Sequence, residues 1–70
     1  MRYAIAIEKS ADGYGAYVPD LPGCAAIGDT VDETEALIRE AIVLHLAAIR
    51  NEGQQISEPS TLCDYVDVQA

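Results

Sequence analysis

The sequence predicts an α+β fold of order β-β-β-α-β: a three-stranded antiparallel sheet, one long helix packed on one face, and a returning edge strand. Three observations carry that expectation. Apolar residues alternate with polar or small ones near the N-terminus. A rigid corner built from two prolines and a glycine follows the second alternating run. A capped apolar stripe of helical period then fills the middle of the chain.

In residues 2–8, Tyr3, Ile5 and Ile7 fall on one side, and Arg2, Ala4, Ala6 and Glu8 on the other. Successive side chains of a strand point to opposite faces, so this is a half-buried strand. Ser10-Ala11-Asp12-Gly13 is a hairpin signal through its Asp-Gly pair. Residues 14–18 form the antiparallel return, with Tyr14, Ala16 and Val18 on one side and Gly15 and Tyr17 on the other.

Pro19 has no N–H and ends ladder pairing. Pro22-Gly23 fits the two central positions of a type II turn, where proline presets φ and glycine supplies a positive φ. The corner therefore returns the chain into a short third strand, residues 24–28.

Thr30-Val31-Asp32-Glu33 matches a capping box, with Thr30 as the N-cap. Asp32, Glu33 and Glu35 lie at the positive end of the helix dipole and Arg50 near the negative end, with Gly53 suited to the C′ position. Leu37, Ile38, Ala41, Ile42, His45, Ala48 and Ile49 form one broad apolar face, with Leu44 at its edge. Asp32, Arg39, Glu40, Arg50 and Asn51 occupy the opposite side. Val43 lies among these polar residues and Leu46 lies off the main stripe, so both are candidates for a second contact surface. After a loop at residues 54–61, residues 62–68 read as the returning strand. Leu62, Val66 and Val68 fall on one side of it and Cys63 and Tyr65 on the other; Asp64 and Asp67 suit an exposed edge.

The 70 residues are expected to form one domain, 1–70, whose small size makes self-association or a partner favourable. Twelve acids against four Lys and Arg give a net charge of −8, which argues against nucleic-acid binding and for a basic partner. Cys24 and Cys63 with the lone His45 do not form a zinc motif, and two buried thiols in a reducing cytoplasm are expected. No apolar run is long enough to span a bilayer. No nucleophile–base pair, phosphate loop or cofactor motif is legible, so no catalytic, metal or cofactor residue is assigned.

Read together, "GYGAYVPDLPGC", "GDT" at residues 28–30 and "EAIVLHLAAI" resemble the HicB-like antitoxin family, over residues 3–60. That resemblance implies a partial ribonuclease-H-like fold. It also implies a role: binding and masking a small basic HicA-like toxin that cleaves messenger RNA. Many members carry a C-terminal DNA-binding domain. This sequence ends directly after the last expected strand, so operator binding is not expected of it. Ser57 replaces the first proline of the family's Ile-Pro-x-Pro-Ser segment, which implies a looser loop.

A non-enzymatic, cytoplasmic, homo-oligomeric antitoxin is thus the expected function, with Tyr17, Asp20, Leu21, Val43 and Leu46 as partner-binding residues. An orphan oligomerisation module without a toxin is the alternative. A metal-dependent nuclease is the third reading, and it needs Glu8, Asp20, Asp64 and Asp67 to converge on divalent ions.

Overall fold

The computed structural model describes all of residues 1–70. Strands β1 (Ala6–Ser10), β2 (Gly13–Tyr17) and β3 (Ala25–Gly28) precede one helix, α1 (Val31–Asn51). The strands form an antiparallel meander of order β1-β2-β3. The helix lies across one face of the sheet, chiefly over β3 and β2.

β1 starts four residues later than the alternation predicts. The ladder ends at Ala6 opposite Tyr17. Beyond that pair, Val18 turns its N–H and C=O towards the corner, donating to the Cys24 carbonyl and accepting from the Leu21 N–H. The next residue is Pro19, which has no N–H to offer β1. Tyr3 and Ile5 still pack against the core from outside the ladder.

The corner consists of two successive turns. Leu21 N–H donates to the Val18 carbonyl and Cys24 N–H to the Leu21 carbonyl, each at 3.0 Å. Gly23 takes φ +86°, as the second turn requires. Val18 N–H to the Cys24 carbonyl, at 3.2 Å, closes both turns into a unit. Val18, Leu21 and Cys24 all point from it into the core.

The helix starts and stops where its end signals lie. Thr30 Oγ1 accepts from Glu33 N–H at 3.1 Å. At the other end, Gly53 N–H donates to the Arg50 carbonyl and Gln54 N–H to the Ile49 carbonyl, with Gly53 at φ +75°. That is a Schellman cap. The first turn is set tightly against the sheet: a Cβ on Gly28 would stand 2.5 Å from Thr34 Oγ1. Thr34 is fully buried and its hydroxyl donates to the Thr30 carbonyl at 2.7 Å, so no polar group is stranded there.

The fully buried apolar core is Ala16, Val18, Leu21, Cys24 and Ile38, ringed by half-buried residues including Ile7, Ala41, Ile42 and Ile49. Two expectations are corrected. Residues 62–68 form no strand: they have no ladder partner, and Leu62, Tyr65, Val66 and Val68 are 80–95% exposed. Alternation gave the segment strand character, but no sheet edge in the chain receives it. For the same reason Cys63 is not a buried thiol. It is exposed, its Sγ reaching the Ile5 carbonyl at 3.6 Å. The molecule is long, 47 Å in its greatest extent. Its radius of gyration is 13.7 Å, against about 11 Å for a compact chain of this length.

Candidate functional site

Asp20 sits at the tip of the corner, half-buried, and grips the chain forty residues on. Its carboxylate accepts from the backbone N–H of Ser60 (3.1 Å) and Thr61 (3.0 Å), and from the hydroxyls of Ser60 (3.4 Å) and Thr61 (2.8 Å). Donors that favour the charged form hold its pKa below the ordinary 3.8, with the Thr61 N–H and hydroxyl contributing most. The corner is therefore read first by the protein's own chain. The two turns present the carboxylate rigidly, and the segment after the helix docks on it.

The other four expected partner residues fall in three places. Leu21, one residue from Asp20, is only 6% exposed. The double turn points its side chain inward, into the core. Tyr17 lies on the sheet face away from the helix and is exposed. The register places the Ala6-Tyr17-Ala25 row beside the Glu8-Gly15-Ile27 row. Ile27 is exposed on that same face, and Gly15 leaves the backbone open between it and Glu8. Val43 is exposed, while Leu46 is half-buried against the core.

Val43 and Leu46 meet in one groove of about 590 Å³, between the N-terminal arm and the flank of the helix. Tyr3, Ile5, Ile38 and Ile42 share its apolar lining, and Arg2, Arg39, Arg50 and Glu35 are its charged groups. Arg39 pairs with Glu35 at 3.3 Å and its side chain remains largely exposed. Three of the chain's four basic residues thus surround one groove, although the chain as a whole carries −8. The sequence placed Arg39 and Arg50 together on the polar side of the helix. That Arg2 joins them depends on where the fold carries the N-terminal arm, which no local pattern states.

No group of three or more His, Cys, Asp or Glu is placed to hold a metal ion. Asp20 is engaged with Ser60 and Thr61, while Glu8, Asp64 and Asp67 are exposed. His45 is half-buried on the sheet-facing side of the helix. Burial raises the pKa of Cys24, which makes its thiol a poor nucleophile. No helix is long and apolar enough to cross a membrane.

Comparison with known proteins places these surfaces in context. Residues 3–70 match the family described as HicB_like antitoxin of bacterial toxin-antitoxin system. An uncharacterised 14.9 kDa protein of Haemophilus phage HP1 is 36% identical over 67 residues, covering 96% of this chain and 50% of its own length. A UPF0150 protein of Archaeoglobus fulgidus is 44% identical over 52 residues, covering 73% of this chain and 75% of itself. Antitoxin HicB 2 of Photorhabdus laumondii is 31% identical over 71 residues, covering all of this chain and 51% of itself. The chain therefore spans about half the length of the phage protein and of the Photorhabdus antitoxin. Among solved structures, a chain of the HicA3 and HicB3 toxin-antitoxin complex superposes with a TM-score of 0.72 at 35% identity, covering 84% of this chain and 70% of that one. With the meander, the closed corner and the capped helix all in place, the chain belongs to the HicB-like antitoxin family.

Proposed function

We propose that this chain is the antitoxin of a toxin–antitoxin pair, and that it covers the RNA-binding face of a small basic HicA-like toxin without doing chemistry itself. The observation that carries this reading is an acidic shell left unneutralised by the fold. Eleven of the twelve acids are exposed, and only Glu35 is paired with a cation of the chain. A protein that grips RNA presents Lys and Arg, so such a shell competes with phosphate for the same surface. Like charge also repels RNA from the antitoxin, and the complementary fields speed encounter with the toxin. The likeness to a HicB chain solved with HicA supports the same partner class.

The open sheet face suits the contact. Tyr17 and Ile27 supply its apolar centre and Glu8 an acidic border, with Asp20 further out. Desolvated aromatic and aliphatic anchors hold an interface, while charges at its rim set partner choice and on-rate. Both protein and toxin act in the cytoplasm on this reading, where messenger RNA is the toxin's substrate.

The test is to titrate the chain into the product of an adjacent short basic reading frame, with RNA cleavage as the readout. Stoichiometric suppression is expected, and Tyr17→Arg with Ile27→Arg weakens it by about tenfold or more. Absence of binding at micromolar concentration refutes the proposal. RNA cleavage by the purified chain with Mg²⁺ or Mn²⁺, abolished by Glu8→Gln with Asp67→Asn, would replace it with the nuclease reading. The orphan module is the second reading, favoured by the exposed apolar tail.

A further inference from the structure

We infer that the acidic, apolar C-terminal tail of one chain lies in the arginine-rimmed groove of a second copy, forming a reciprocal, arm-exchanged dimer. The surface extends to a contact between copies what the proposed function leaves to the toxin, and the two readings stand independently.

The groove calls for an acidic occupant with apolar side chains. Three arginines against the single Glu35 make its lining net positive in a strongly acidic molecule. A basic toxin is repelled there, and the acidic shell is available to it elsewhere. Within the sequence one segment fits: residues 62–68 interleave Leu62, Tyr65, Val66 and Val68 with Asp64 and Asp67. Those apolar side chains are 80–95% exposed in their own chain.

Dimensions agree with the charges. The groove follows the helix from Glu35 to Arg50, about 22 Å at the helical rise. The nine residues after Thr61 span up to about 30 Å when extended. The root of the tail is fixed: Asp20 clamps Ser60 and Thr61, and Cys63 touches Ile5. Beyond that root the tail lines no part of its own groove and stays exposed. Exchange of an identical arm between two copies is a low-cost route to a closed, two-fold dimer. It also supplies apolar burial that a five-residue core leaves wanting.

Sedimentation and light scattering of the full chain test this. A dimer of twice 7.5 kDa is expected, dissociating as salt rises. Asp64→Arg with Asp67→Arg, and separately Arg39→Asp with Arg50→Asp, each weaken the dimer by about tenfold or more. Mixing the two charge-reversed chains restores a heterodimer, which shows that both variants are folded and that tail meets groove between chains. A chain that stays monomeric at millimolar concentration overturns the inference. So does a monomer whose tail amides are protected from hydrogen exchange, since its own groove then holds it. A dimer indifferent to both pairs of reversals also overturns it. Toxin inhibition, measured separately, is unaffected by any of these outcomes.

Discussion

The corner at residues 19–23 and the tail at residues 62–70 are both short, irregular and partly apolar, yet their fates are opposite. The corner contributes Leu21 to the core, beside Val18 and Cys24 at its two ends, and three backbone hydrogen bonds close it. The tail has a more regular apolar alternation, but it buries none of it and makes no ladder. Apolar content does not separate the two; backbone satisfaction does. Two prolines and Gly23 preset the dihedrals of the corner, so its hydrogen bonds form locally. A strand has no local partner for its N–H and C=O groups, so its pattern is only half a statement until an edge accepts it.

Four measurements break or sharpen that contrast. Leu21→Ala removes a core side chain from the corner and is expected to cost about 2–5 kcal/mol, the largest effect, read from urea denaturation. Gly23→Ala forces a Cβ into φ +86° and costs about 1–2 kcal/mol by the same measurement. Asp20→Ala frees the root of the tail, so the amides of Ser60 and Thr61 exchange faster while the core amides hold. Acid does the same to the native chain. A carboxylate whose folded pKa is depressed stabilises fully above its ordinary value, 3.8 for Asp20, and that contribution disappears as pH falls below it. Tail release is therefore expected below pH 3.8, with no change between pH 5 and 7. Tyr65→Ala and Val66→Ala should shift monomer stability by less than about 0.5 kcal/mol, the smallest effect. A larger shift in dilute protein would mean that the tail packs on its own chain.

The legible parts of the molecule were those whose partners lie nearby in sequence. Thr30, Gly53 and the Leu37-to-Ile49 stripe fixed α1 because capping and helical bonds span only three to five residues. The facing of β2 was equally plain: Ala16 and Val18 turn inward and Tyr17 outward. What escaped depends on distant neighbours. Cys63 differs from Cys24 only in lying on a segment with no covering layer. Leu46 looked misplaced on the helix because the N-terminal arm, not the sheet, forms the other wall of its groove. Asp20 looked like a free contact on a stiff tip; the Ser60-Thr61 pair that occupies it gave no signal beyond two small hydroxyl residues after a proline.

The Asp20 clamp has a thermodynamic corollary. A partner's lysine or arginine competes for that carboxylate with the donors of Ser60 and Thr61, because the same two oxygens serve both. Capture of a visiting cation and liberation of the last ten residues are thus linked equilibria, each drawing on the other by the same factor.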